Sequence, residues 1–144
     1  MIRVLVSPDA VDVGAEMVLL ERGGAVATFT GLVRADDGVS ILELEHYPGA
    51  TEAALIRLCE EATARWTLTA ATVVHRVGPM MPGERIVFVG TCSPHRAAAL
   101  EACAFLIDRL KTDAPFWKRE TVAGAARWVE ARGADDDAAA RWGG

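Results

Sequence analysis

The stretch SPHRAAALEACAFLIDRLKTDAPFWKRE, residues 93–120, decides the fold class, because one unbroken run passes from helical to extended patterning. Ser93 before Pro94 is a helix-start signal: the serine can take up free backbone N–H groups, and proline fits the first helical position. The spacing predicts a helix over Pro94–Asp113, with Leu100, Cys103, Ala104 and Ile107 as its buried stripe. Pro115 then interrupts, and Phe116–Val122 reads as a short extended piece in which Phe116, Lys118 and Glu120 share a face. His95 and Arg96 are the wrong charge for the first turn of a helix, whose N-terminus is itself partly positive. An anion bound there would reverse that cost, since the N–H groups and both cations would face it.

Working outward, the same alternation of element types recurs. Ile2–Ser7 is a β-branched strand; Val11–Arg22 reads as a helix with Val11, Ala15, Val18 and Leu19 on one stripe, ended by Gly23-Gly24. Gly24–Arg34 is an apolar extended run, and Ala35–Gly38 a polar turn. Ser40–Tyr47 alternates with a period of two, Leu42, Leu44 and His46 sharing one face. After Pro48-Gly49, Thr51–Trp66 is an amphipathic helix with Leu55, Leu58, Cys59 and Ala62 inward. Ala70–Val77 and Arg85–Thr91 are strands joined by a Gly/Pro-rich loop. Ala126–Ala131 reads as extended and Asp135–Trp142 as a short terminal helix. Helices and strands mix without strict alternation and no linker divides residues 1–144, so the expectation is one α+β domain.

A chain of 144 residues with 51% hydrophobic and 24% charged residues can build a core without staples. Its net charge of −5 argues against a general nucleic-acid binder and makes any anion site a local affair. Cys59, Cys92 and Cys103 fall at no metal spacing and suit a reducing compartment. The start of the chain lacks a signal-peptide pattern, and no apolar run reaches the roughly 18 residues that span a bilayer. The chain therefore reads as cytoplasmic, with no metal or other cofactor expected.

Few residues carry chemistry on pattern alone. Lys111 lies eleven positions after Leu100, roughly 20° round the helix from it. Its stem could cover apolar surface with the ammonium in water, or its amine could sit beside a half-buried pocket suited to proton transfer or covalent work. Lys118 is either a solvated edge-strand lysine beside Glu120 or a second such amine. Arg34, Arg132, His46 and His75 read as ordinary surface or core residues. Cys92, just ahead of the basic helix start, is a buried strand thiol or a persulfide carrier.

Six ordered blocks add a resemblance: GAVATFTGLVR (24–34), LELEHYPGATE (42–52), HRVG with PGE (75–84), SPHR (93–96), LKTDAPFWKRE (110–120) and RWVEAR (127–132). Together they resemble the large, catalytic subunit of molybdopterin synthase over nearly the whole chain. The resemblance implies an α/β hammerhead fold with an added antiparallel subdomain. It implies that sulfur passes from a thiocarboxylate on the C-terminal Gly-Gly of a small ubiquitin-like subunit to cyclic pyranopterin monophosphate, forming the dithiolene of molybdopterin. The implied assembly is a heterotetramer, with large subunits paired at the centre and no nucleic acid or membrane involved.

Carried over by residue, the resemblance implies that Lys111 and Lys118 are catalytic, and that His95 and Arg96 hold the substrate anion. Arg34 becomes a pocket arginine, Arg132 an arginine reaching a pocket from the neighbouring large subunit, and Phe29 and Trp117 pocket walls. The sequence departs from the family pattern in a short loop over Ala35–Val39 and in Ile107, where a methionine is expected. The terminal Gly143-Gly144 imitates the small carrier, but nothing upstream of it resembles a ubiquitin-like domain. The competing reading is a non-catalytic dimeric module that binds a phosphorylated pterin or scaffolds cofactor assembly.

Overall fold

One strand organises the chain because it is apolar on both faces: β4 (Ala70–Arg76), AATVVHR, is buried along almost its whole length. A computed structural model describes residues 1–35, 38–129, 140 and 142. In it β1 (Ile2–Ser7) pairs with β4 in parallel, β6 (Arg85–Ser93) flanks the other side of β4 antiparallel, and β2 (Ala25–Leu32) closes the sheet antiparallel to β6. Odd-numbered positions Ala71, Val73, Val87 and Val89 pack under α2 (Ala50–Trp66) and α3 (Arg96–Asp113). Even-numbered Ala70, Val74, Phe88 and Cys92 pack under α1 (Val13–Leu20) on the opposite face. Gly90 sits on that second face, and a Cβ there would run into the Leu20 side chain, so the glycine is what lets α1 lie close.

A second sheet, order β5-β3-β7-β8, is antiparallel throughout: β5 (Gly78–Met80), β3 (Val39–His46), β7 (Phe116–Val122) and β8 (Ala125–Val129). Leu42 and Leu44 of β3 join Val33, Val77 and Met80 in a small core that rests against Val6 and Ile86 of the first sheet and Phe116 of β7. The α+β expectation holds, and so does the period of two in β3, where Leu42 and Leu44 are buried while Ile41 and Glu45 are exposed. Among the described residues no helix is long and apolar enough to cross a membrane.

Three expectations need correction. Of the stripe predicted for α1, Val11 is buried just ahead of the helix, but Ala15, Val18 and Leu19 are turned outward, Val18 70% and Leu19 44% exposed, while Leu20 and Glu16 are buried. Glu16 faces inward because Arg3 reaches it through two hydrogen bonds of 2.7 and 2.9 Å, a pairing that removes the penalty for burying the carboxylate. In α3 the stripe is Ala99, Ala102, Cys103, Leu106 and Leu110, with Leu100 62% exposed. The alanines of this helix weigh equally on any face, so hydrophobic spacing alone cannot fix its rotation. Finally, Ser93 ends β6 and His95 is the residue capping α3; the Ser93 hydroxyl accepts from the His95 N–H at 3.3 Å, one turn short of the helix. The expected Asp135–Trp142 helix lies outside the described residues except for positions 140 and 142.

Candidate active site

Where the two sheets meet, the chain makes a two-lobed pocket. The wider lobe, about 280 Å³, is lined by Phe29 and Gly31 of β2, Arg34 beyond its end, Lys111 from the last turn of α3, and Lys118 and Glu120 of β7. The narrower lobe, about 110 Å³, is walled by Leu44, Leu110, Ala114 and Phe116, with His75 also on its lining. Lys111, Lys118, Ile86 and Val87 line both lobes.

The two lysines meet here because of how α3 ends. The Ala114 N–H closes the last turn on the Leu110 carbonyl at 3.3 Å, and Pro115 cannot continue the helix. Thr51, fully buried at the start of α2, pins the crossing: its hydroxyl donates to the Pro115 carbonyl at 2.9 Å and accepts from the Tyr47 N–H at 3.0 Å. Chain direction then reverses into β7, whose Lys118 pairs with Leu44 of β3 and faces the same side as Phe116. A lysine in the last helical turn also lies at the negative end of the helix dipole. Among the described residues, Lys111, Lys118 and Arg34 are set against the carboxylate of Glu120 in the wider lobe, a local excess of positive charge on an acidic protein.

Sequence reasoning missed His75. The ring is 7% exposed and stacks on Phe116, with centroids 4.0 Å apart and planes 23° from parallel. Burial pushes its pKa down from 6.5 to about 4 against the opposing hydrogen bond to the Arg76 carbonyl, and the Lys111, Lys118 and His46 charges push it further the same way. A compositional signal was also available. The sequence holds only two lysines, against thirteen arginines, and both line this pocket.

Other expected site residues lie elsewhere. His95 and Arg96 are exposed at the start of α3, and sixteen residues of helix separate His95 from Lys111, about 24 Å along the axis. Trp117 is not a wall of the lysine pocket: it is adjacent to Lys118 on a strand and so points to the opposite face. There it meets Tyr47 edge-on at 4.6 Å, beside His46 and Trp128. Phe29 and Arg34 do line the lysine pocket. Cys92 is fully buried, its thiol 3.3 Å from the Gly23 carbonyl, which disfavours a persulfide carrier. Arg132 lies outside the described residues.

The family described as MoaE protein matches residues 6–113. The molybdopterin synthase catalytic subunit of Escherichia coli K12 is 51% identical over 146 residues, covering 97% of each chain. Among solved structures, the molybdopterin biosynthesis MoaE protein from Burkholderia ambifaria superposes with a TM-score of 0.86 at 46% identity, over 99% of this chain and 98% of that one. A subunit in the complex of subunits 1 and 2 of molybdopterin-converting factor from Helicobacter pylori shares the fold, with a TM-score of 0.74 at 20% identity over 91% of each chain.

Proposed function

This chain belongs to the MoaE protein family, and on that premise we propose how it works as the catalytic subunit of molybdopterin synthase: the junction pocket is where sulfur is transferred, and Lys111 and Lys118 manage the protons. The carrying observation is that the only two lysines of the chain line one pocket, together with Arg34. The donor is the thiocarboxylated Gly-Gly tail of a small ubiquitin-like subunit, and the acceptor is cyclic pyranopterin monophosphate, in the cytoplasm. The thiocarboxylate sulfur adds to a substrate carbon, and an ammonium gives its proton to the departing ring oxygen. Water then cleaves the acyl–sulfur bond, leaving sulfur on the pterin and a carboxylate on the tail; in a second round another thiocarboxylate adds at the adjacent carbon, whose oxygen leaves as water, and its hydrolysis completes the dithiolene. A fixed cation beside the acyl–sulfur carbon also stabilises the oxyanion formed during that cleavage. Arg34 offers a planar, permanently charged partner for the phosphate, and Phe29 an apolar wall.

His95 and Arg96 enter this scheme only through a second copy of the chain. A helix is too stiff to bring its first residue to its last turn, so the substrate-anion role assigned to this pair requires a neighbouring large subunit to present its own α3 start. Arg132 is assigned to the same group. The test is reconstitution with a thiocarboxylated small subunit and the cyclic phosphate. Lys111→Ala must lose turnover; full turnover leaves only a binding module. Mixing the inactive Lys111→Ala and Arg96→Ala variants must restore part of the activity, because one mixed dimer contains one intact composite site. Two variants that fail to complement would put His95 and Arg96 outside the site.

A further inference from the structure

His75 is a buried titratable group that the scheme above leaves unused, and its surroundings fix both of its nitrogens. Nδ1 lies 2.8 Å from the Arg76 carbonyl. A carbonyl only accepts, so Nδ1 carries the proton and Nε2 holds the lone pair of the neutral ring. Stacking on Phe116 sets the ring plane, and Phe116 stands two residues before Lys118 on the same face of β7. The ring lines the narrow lobe, which Lys111 enters from α3. Nε2 has no hydrogen-bond partner among the described residues, yet it is not a sealed-off polar atom.

We propose that His75 is a positioning residue for Lys111: when that amine turns into the narrow lobe that both residues line, the open Nε2 accepts a hydrogen bond from the ammonium and holds it at the junction of the two lobes. The inference rests on the sulfur-transfer reading for its purpose, but its geometry stands without it. A neutral acceptor directs an ammonium and adds no charge to a site already crowded with cations. Burial keeps the ring neutral here, and of the two amines Lys111 acts on it more strongly. The groups facing the ring are Lys111 from α3, Lys118 from β7 and His46 from β3. Arg34 and Glu120 stand in the adjoining lobe, while the Arg76 guanidinium is turned away to Glu84 at 3.1 Å. The hydrogen bond uses one N–H of the ammonium to fix its direction and leaves the other two for the substrate. Lys111 thereby stays a proton donor for the departing oxygen.

The test uses the full chain without partner or substrate, so it does not depend on the reaction. With two lysines and one N-terminus, acylation by an acetyl N-hydroxysuccinimide ester can be read site by site against pH by peptide mass spectrometry. His75→Asn keeps a donor near Nδ1 and removes the atom at Nε2; His75→Gln returns an oxygen close to that position. At each pH the ratio of Lys111 to Lys118 acylation should rise about threefold in His75→Asn, while His75→Gln should keep the parent ratio. In the reconstituted reaction His75→Asn should lower kcat about tenfold with KM little changed. Nitrogen NMR of the imidazole gives an independent reading on a chain with His75 intact. The Nε2 resonance should move when Lys111 is replaced by methionine and stay in place when Arg96 is replaced by alanine. An unmoved Nε2 signal in Lys111→Met overturns the proposal, as does an equal change in the acylation ratio, or none, in the Asn and Gln variants.

Discussion

Two groups of positive charge sit along the helix layer, and they are built from different residues. On its outer face Arg109 bonds Asp113 at 2.7 Å and Glu61 at 3.2 Å while lying 5.2 Å over the Phe105 ring. Arg65 beside it reaches Glu61 at 3.5 Å and the Trp142 carbonyl at 3.3 Å, stacked 5.0 Å from both Trp66 and Phe105. At the sheet junction the amines are lysines. A guanidinium is flat, always charged and matched to carboxylates and ring faces; an ammonium is compact and can lose its proton. Arginine thus serves where geometry must be held, and lysine where a proton must move. In the proposed scheme both lysines of the chain take the second task.

The sharpest way to break that contrast is Lys111→Arg, which keeps charge and length but cannot act as an acid or base. Sulfur transfer should fall by about a hundredfold or more, nearly as far as in Lys111→Ala, with thermal unfolding unchanged. An active Lys111→Arg enzyme would reduce the pocket amine to a mere cation. A smaller effect concerns stability near the pocket. The folded-state pKa of His75 is depressed, so the unfolded chain takes up the proton first. The stability this provides is complete above pH 6.5 and is lost as the pH falls to about 4. The loss should amount to about 3 kcal/mol, read from denaturant unfolding across that range. His75→Gln should flatten that part of the curve.

Changes on the arginine face should alter stability and leave chemistry alone. Trp142 donates its indole N–H to Asp108 at 2.7 Å and meets Trp66 and Phe105 at 5.7 Å each. Trp142→Ala should therefore cost about 2 kcal/mol in unfolding free energy while kcat stays within about twofold of the parent. The mildest change, Arg109→Lys, loses the two-headed bonding and the ring stacking and should cost about 1 kcal/mol. A loss of kcat in Arg109→Lys comparable to that in Lys111→Arg would erase the distinction between the two faces.

How much of this was legible in the sequence depended on the range of the deciding interactions. The alternation of β3 and the apolar face of α2 are local and were readable, because Leu44 or Leu58 reports its own side of its own element. The rotation of α3 was not, since its alanines give no contrast, and neither was the inward turn of Glu16, which depends on Arg3 thirteen residues away. Lys111 and Lys118 were readable as motif residues, but the separation of His95 from Lys111 required counting helix rise, not sequence distance. Trp117 should have been placed correctly: neighbours on a strand face opposite ways, so it cannot share a wall with Lys118. His75 was beyond reach, because its stacking partner Phe116 lies in the other sheet.

The Thr51 hydroxyl, bonded at once to the Tyr47 N–H and the Pro115 carbonyl, acts as a rivet between the entry to α2 and the segment that leaves α3. The distance between the two amines is thus not left to the slack of the short connector that separates them. It is gauged from outside, by the foot of a different helix. A sideways slip of that helix foot would be felt as a change in the spacing of the two amines.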